Sequence, residues 1–332
     1  MIQRISYYTA EGTNPYQNIA LEEYLLQHVK PGNCILYLWQ NKNTVVIGRN
    51  QNCWKECKIE ELERDGGLLA RRLSGGGAVY HDLGNLNFTF LVSERDYDVD
   101  RQLEVIIKAC SLLGMQAEKT GRNDIVIDGR KFSGNAFYKT EGRCYHHGTI
   151  LLHADMEKLS RYLCVSSDKL KAKGVSSVKS RVMNLCHFCP DITVEQMKEK
   201  LIQAFEIVYS LPAEEIKGAS FCFEEWKART AFFASDQWKY GKHLPFSFEV
   251  EKRFEWGNIE LLLEVKKGLI ENAGVYSDAM DETFLLKIPE ALEKSPFQQK
   301  AMRGRLSRIP TENIWQSQMI KDTIELLMDQ EL

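Results

Sequence analysis

Residues 71–82 read Arg71-Arg72-Leu73-Ser74-Gly75-Gly76-Gly77-Ala78-Val79-Tyr80-His81-Asp82. Adjacent glycines let backbone approach a ligand closely and adopt conformations barred to other residues. Their consecutive N–H groups can cup an anion, and neighbouring arginines supply forked, charge-assisted bonds to phosphate or carboxylate. There is no Gly-Lys-Ser/Thr ending and no G-x-G-x-x-G spacing, so this is neither a Walker A loop nor a dinucleotide fingerprint. Glycines alone would read as a flexible turn before a strand. The arginines before them and His81-Asp82 after them turn the reading towards a binding loop.

Outward from this loop, Val79–Asp82 and Leu86–Val92 look like a strand pair about Leu83-Gly84-Asn85. Upstream, Ile35–Trp39 and Thr44–Arg49 read as strands. Asn14-Pro15 caps a helix whose apolar stripe (Ala20, Leu21, Tyr24, Leu25) ends at Pro31-Gly32. Downstream, Leu103–Leu113 is helical up to Gly114, and Thr193 with Gln196 forms a capping box before a long amphipathic helix. Beyond about Pro245 the pattern becomes a meander (Arg253–Trp256, Ile259–Val265, Leu269–Tyr276) followed by helices. We therefore expect a mixed-sheet α/β domain over 1–244 and a small α+β domain over 247–332, joined near Gly241–Pro245.

A second signal is Gly121-Arg122-Asn123-Asp124, followed by Ile125–Ile127 and Arg130–Gly134 about Asp128-Gly129, a strong hairpin signal. A two-residue turn pairs Ile127 with Arg130, Val126 with Lys131 and Asp124 with Ser133. Asp124, Val126, Lys131 and Ser133 then share one face, with Ile125, Ile127 and Phe132 on the core side. Asp124 and Lys131 come within reach of each other or of one ligand. Alone, such a pair is also what a surface salt bridge looks like. Likewise Lys169–Arg181, rich in lysine with Gly174 and several serines, suits either a loop over phosphates or a solvated loop.

The 332-residue chain is 44% hydrophobic and 27% charged with net charge −3, which gives no broad nucleic-acid signature. Nine cysteines in so long a chain read as free thiols in a reducing, cytoplasmic compartment, and no apolar run is long enough for a membrane span. His146-His147 in a strand point to opposite faces, awkward for joint metal ligation. Cys53/Cys57 with Cys186/Cys189 resemble no compact zinc module.

Together the stretches Asn18–Glu23, Thr44–Arg49, Trp54–Cys57, RRLSGGGAVYHDLGNLNFTF, GRNDIVIDGRKFSGNAF, HHGTILLHADMEKL and KGVSSVKSRVMNL resemble, in order, the lipoate–protein ligase A family. The resemblance implies a biotin- and lipoate-ligase-like catalytic domain, related to class II aminoacyl-tRNA synthetases, with a smaller C-terminal domain. It implies that lipoate and Mg-ATP form lipoyl-AMP, whose acyl group passes to a lysine of an apo lipoyl domain. The acceptors implied are 2-oxoacid dehydrogenase E2 subunits or glycine-cleavage H protein, and the enzyme is expected to be monomeric. Lys131 matches the essential lysine. Arg72, Gly77, Ala78, Val79, Tyr80, Asn123, Asp124, Lys131 and Lys173 fall to ATP or adenylate, with Asp124 as magnesium ligand. Lipoate falls to Lys131, Arg72, Ser74, Gly75, Gly76, His81, Leu21, Trp39, His147 and Gly148. Leu73 departs from relatives with a polar residue there. Rival readings are a carrier-dependent acyl transferase working through a cysteine such as Cys144 or Cys164, a non-catalytic binder, and an enzyme that only transfers preformed lipoyl-adenylate.

Overall fold

A computed structural model describes residues 1–121, 124–164, 182–218, 221–241 and 245–330. The chain divides into two compact units. One comprises Met1–Val46, Trp54–Arg72 and Ala78–Lys239; the other comprises Ile47–Cys53, Leu73–Gly77 and Tyr240–Leu332. The second unit thus takes two short loops from the N-terminal half of the sequence.

The first unit is built on a mixed sheet. Its strands are β1 (Arg4–Thr9), β2 (Asn33–Trp39), β6 (Asn85–Ser93), β7 (Glu118–Thr120), β8 (Asp124–Ile127), β9 (Arg130–Thr140), β10 (Arg143–Leu151) and β11 (Ala213–Glu215), in the order β11-β1-β2-β6-β10-β9-β8-β7. A separate small sheet has the order β4 (Leu68–Arg71), β3 (Thr44–Ile47), β5 (Val79–His81). The sequence suggests pairing of the segments that become β5 and β6. They lie instead in different sheets: β5 is antiparallel to β3, whereas β6 is antiparallel to both β2 and β10. The turn between them is pinned by Gly84, whose carbonyl accepts from Leu152 and His153, so β6 is aimed away from β5.

Helix α1 (Pro15–His28) starts on the Asn14 side chain, which accepts from the amides of Tyr16 and Gln17. Helix α2 (Val99–Leu112) and helix α3 (Val194–Tyr209) cover one sheet face; α3 opens with the Thr193–Gln196 capping box. Their stripes Leu103, Ile106, Cys110 and Met197, Leu201, Phe205 meet Leu86, Phe88, Phe90 and Val92 of β6 in the main core. Helix α1 lies over the opposite face, and helix α4 (Phe223–Ala234) packs against it.

The second unit contains the antiparallel meander β12 (Phe248–Phe254), β13 (Gly257–Lys266) and β14 (Leu269–Ser277), with its own apolar core under C-terminal helices. The first strand begins earlier than the sequence suggests. Its turn is Glu255-Trp256, because Gly257 already pairs with Phe254. Among the described residues no helix is long and apolar enough to cross a membrane.

Candidate functional site

β6 is buried along its whole length, yet only one of its faces is wholly apolar, the other combining Leu91 with polar residues. Asn85, Asn87 and Thr89 alternate with the core residues and point towards α1. Thr89 accepts from Trp39 Nε1 at 3.0 Å and donates to Glu22 Oε1 at 2.7 Å. Opposite Thr89 in the ladder, His147 places Nδ1 2.8 Å from the same Glu22 oxygen. Trp39, Glu22 and His147 are all buried, so a carboxylate and an imidazole stand together beneath a helix. As the alternation requires, His146 turns to the core, against Phe88 and Phe90. His147 and half-buried Gly148 are thereby placed on the Glu22 side of the strand and beside β9, respectively.

His81 ends β5 opposite Thr44 and is 3% exposed, with its ring edge-on to Trp39 at 6.2 Å. Burial pushes its pKa down to about 3, and the charges of Arg72 and His147 act in the same direction. The ring is therefore neutral at physiological pH.

The hairpin forms about Asp128 (φ 51°) and Gly129 (φ 71°), the left-handed pair of a tight two-residue turn. Ile127 pairs with Arg130 and Val126 with Lys131, as the turn dictates. A bulge then shifts the ladder, so Ile125 pairs with Ser133 and Asp124 with Gly134 rather than with Ser133. The extra residue is Phe132, which is 1% exposed and reaches the core with Ile125 and Ile127. Absorbing that residue lets the apolar side stay inward while Lys131 Nζ still lies 2.6 Å from Asp124 Oδ1. Both side chains are about one-third exposed, at 32% and 37%. A Cβ on Gly134 would sit 3.0 Å from Lys131 Nζ, so the glycine leaves room for the lysine head. Asn123, Lys173 and the whole of the Lys169–Arg181 segment lie outside the described residues.

The arginine pair divides its labour. Arg72, 7% exposed, donates to the Val46 carbonyl at 3.2 Å and lies within electrostatic reach of His81. Arg71 donates to the carbonyls of Trp238 and Lys239 at 2.8–3.1 Å, closing the C-terminal end of a short helix. Ala78 and Val79 are half-buried, and Tyr80 buries its ring against Tyr162 with its hydroxyl donating to Asn43. Ser74, Gly75, Gly76 and Gly77 belong to the second unit. There the Gly76 amide donates to the Ala279 carbonyl at 3.2 Å and the Gly75 amide to the buried Glu282 carboxylate. A Cβ on Gly75 would meet the Ala279 carbonyl oxygen at 2.3 Å. Gly75 is thus required for close backbone approach, whereas a side chain at Gly77 would meet open space, and two of the amides expected to cup an anion already have protein acceptors. Burial raises the Glu282 acid to about 7, opposed by its own amide, Arg49 and the Gly75 amide.

Residues 14–206 match the lipoyl protein ligase A/B catalytic domain family, and residues 243–327 match the bacterial lipoate protein ligase C-terminus. A lipoate-protein ligase A of Psychrobacter cryohalolentis is 39% identical over 324 residues, 95% of this chain and 96% of the relative. The chain belongs to the lipoate–protein ligase A family. It is an enzyme, a ligase that joins lipoate to protein using ATP. A second family member, from Blochmanniella pennsylvanica, is 37% identical over 88% of this chain and 89% of its own length. Among solved structures, P. falciparum LipL1 in complex with lipoate superposes with a TM-score of 0.85 at 28% identity, covering 97% of this chain and 99% of that one. A lipoate-protein ligase A bound with ATP gives 0.61 at 25% identity, covering 73% and 99%.

Within the ligase, Leu21 borders a cavity of about 550 Å³ with Tyr8, Gln17, Phe221 and Trp226, among whose lining residues Trp39, His81 and His147 do not occur. Sequence reasoning missed Glu22 and Thr89 as members of the buried polar face, and Asn41, a buried residue whose amide lies 3.2 Å from His81 Nδ1. Glu22 and Thr89 look like an exposed helix residue and a β-propensity choice. Their one legible signal was the period of two on β6, which puts Asn85, Asn87 and Thr89 on a single side.

Proposed function

We propose that catalysis proceeds through a lipoyl-adenylate, with Lys131 as the cation that lets lipoate and ATP meet. In the first step a lipoate carboxylate oxygen attacks the α-phosphorus of ATP; the new O–P bond forms as the bond to pyrophosphate breaks. In the second, an acceptor lysine amine attacks the acyl carbon, the C–O bond to AMP breaks, and the amine loses a proton. Two anions must approach in the first step. A lysine ammonium between them stabilises the charge that gathers as they join, without becoming a nucleophile itself.

The observation that carries this reading is Lys131 held against Asp124 and lodged over Gly134 on a bulged strand. Arg72 stands in the same unit as a buried guanidinium suited to a carboxylate or phosphate oxygen. Backbone at Ala78–Tyr80, with Gly77, is assigned to the nucleotide by the motif. Trp39, His81, His147 and Gly148, all of the first unit, take the acyl group. Asp124 fits magnesium in the manner usual for nucleotide sites, as one partly exposed carboxylate supplementing phosphate oxygens. The metal would neutralise the departing pyrophosphate.

The acceptor we infer is an apo lipoyl domain, of an E2 subunit or of glycine-cleavage H protein. The archaeal ligase of Thermoplasma acidophilum, solved as a lipoylation system with its E2 lipoyl domain, has a TM-score of 0.62 to this chain at 26% identity. A reducing, cytoplasmic compartment suits the nine free cysteines, and the family resemblance suggests a monomer. The thioester alternative is disfavoured by the same cysteines. Burial raises the Cys144 thiol to about 11 and that of Cys164 as well, so neither is primed as a thiolate.

The test is lipoate-dependent pyrophosphate release by the full chain, with Lys131→Ala alongside, then mass analysis of an apo lipoyl domain. We expect release to fall by roughly two to three orders of magnitude in the variant, and one lipoyl mass on the acceptor with wild type. Acceptor modification from preformed lipoyl-adenylate or an octanoyl carrier, without pyrophosphate, would overturn the adenylating reading.

A further inference from the structure

A chain of amide contacts leads from the start of α1 to His81. The Tyr37 hydroxyl lies 3.3 Å from Asn18 Oδ1. Asn18 Nδ2 faces three acceptors: the carbonyls of Gly12 at 3.3 Å and Gln40 at 2.8 Å, and Asn41 Oδ1 at 3.0 Å. Only a donor can satisfy that trio, so the orientation of the Asn18 amide is determined. Asn41 Oδ1 is then an acceptor, and its other terminal atom, Nδ2, must be the donor that faces His81 Nδ1 at 3.2 Å. A ring nitrogen that accepts carries no proton. The proton of the neutral imidazole therefore sits on Nε2, which is buried and finds no partner among the described residues.

A buried N–H without an acceptor is unfavourable and points to a ligand atom that accepts. Arg72, itself buried nearby, suits the same chemistry, that of a carboxyl oxygen. We propose that Asn41, oriented by Asn18, is a positioning residue that locks His81 as the Nε2–H tautomer, so that the ring donates to the carboxyl oxygen of lipoate. This rests on the reading above that lipoate's acyl group is held beside Trp39 and His81. The lock has a chemical reason. The carboxyl group begins as a nucleophilic anion and ends as a neutral acyl group, and its oxygen accepts a hydrogen bond throughout. A neutral N–H serves both forms, whereas an imidazolium would favour the anion and hold it back from reaction. The other tautomer would present a lone pair to an oxygen.

The experiment is long-range ¹H–¹⁵N correlation of the ¹⁵N-histidine-labelled full chain at neutral pH, with His81→Gln to assign the ring. Wild type should show His81 with a pyridine-type Nδ1 and a pyrrole-type Nε2. Asn41→Leu should release the lock and mix the tautomers; Asn41→Asp, which replaces the donor by an acceptor, should move a proton to Nδ1. In pyrophosphate release, Asn41→Leu should raise the KM for lipoate roughly tenfold and leave that for ATP unchanged. His81→Gln, whose side-chain amide places a donor near the former Nε2, should keep the lipoate KM within a few-fold; His81→Asn should not. A wild-type ring protonated on Nδ1, or an unmoved lipoate KM in well-folded Asn41→Leu, overturns the proposal. The wild-type spectrum decides even where a variant fails to fold. Absence of lipoate-dependent pyrophosphate release by wild type would instead overturn the reading on which the proposal rests.

Discussion

On β6 and β10 neighbouring residues inhabit two chemically different interiors. Leu86, Phe88, Phe90 and Val92 point one way with His146; Asn85, Asn87 and Thr89 point the other with His147. Both sides are buried. On the first, both ring nitrogens of the histidine meet side chains. His146 has Asn135 Oδ1 at 2.8 Å from Nε2 and Gln102 at 3.2 Å from Nδ1. Burial holds this ring neutral, so only one nitrogen can donate. The shorter contact takes the proton, so the terminal atom of Gln102 that meets the other nitrogen must be its amide donor, and one terminal atom of Gln102 is left without a partner among the described residues. On the second side Asn85 Oδ1 and Asn87 Nδ2 have no partner among the described residues. One face pairs its histidine on both nitrogens and is otherwise apolar, while the other keeps two unpaired amide atoms along a single strand. Burial alone does not distinguish core from site; the density of polar groups and their pairing do.

The largest test of that contrast sets adjacent residues against each other. Phe90→Ala should lower stability by about 3–5 kcal/mol in urea denaturation, while the surviving folded protein keeps its lipoate KM. Thr89→Val is nearly isosteric and should lower stability by less than ~2 kcal/mol. It also removes the hydroxyl between Trp39 and Glu22, so the lipoate KM should rise about tenfold. The contrast fails if Thr89→Val is the more destabilising change and leaves activity intact.

A smaller effect concerns protons. His146 and His81 each have a folded-state pKa pushed down to about 3, chiefly by burial, from an ordinary 6.5. The unfolded chain binds protons first as pH falls. The stabilisation from each neutral ring is thus fully present above about pH 6.5 and is lost progressively towards 3, at ~1.4 kcal/mol per unit. Between pH 6.5 and 5 each ring accounts for ~2 kcal/mol. His146→Leu should flatten the pH dependence of the denaturation midpoint by about that amount, with lipoate affinity unaltered. An unchanged slope would mean that the ring is solvated or charged when folded.

The segments of β2, β3, β5, β6, β8 and the start of β9, the helices α1, α2 and α3, the separate C-terminal meander and the Asp128-Gly129 turn were legible because period and turn chemistry act locally, whereas β1, β4, β7 and β11 were not read. The fate of β5 and β6 was not, since pairing partners are chosen by non-local packing. Arg71 and Arg72 are indistinguishable in sequence; the helix end at Trp238–Lys239, more than 160 residues away, makes one of them structural. The glycine loop was legible as a place of close approach, but not that the approaching groups would be Ala279 and Glu282. Lys131 and Asp124 were placed on one face correctly although the register beyond them was wrong, because the bulge adds its residue on the core side.

That hairpin offers the finest test of core against site, through two glycines that fill different needs. Gly129 has φ +71° with open space around it, so only its dihedral demands glycine. Gly129→Ala should cost about 1 kcal/mol of stability through left-handed strain and leave pyrophosphate release unchanged. Gly134 has no left-handed φ, but an added Cβ would stand 3.0 Å from Lys131 Nζ and 3.1 Å from Cε. A flexible side-chain end can move aside, so Gly134→Ala should be near neutral in urea denaturation. The displacement nevertheless takes the ammonium off its place beside Asp124, and kcat for pyrophosphate release should fall about tenfold, since misplacement of a charge-stabilising group is felt directly in rate. Activity loss at Gly129 without loss at Gly134 would reverse the assignment, making the turn and not the lysine's seat the part of the hairpin that matters to chemistry.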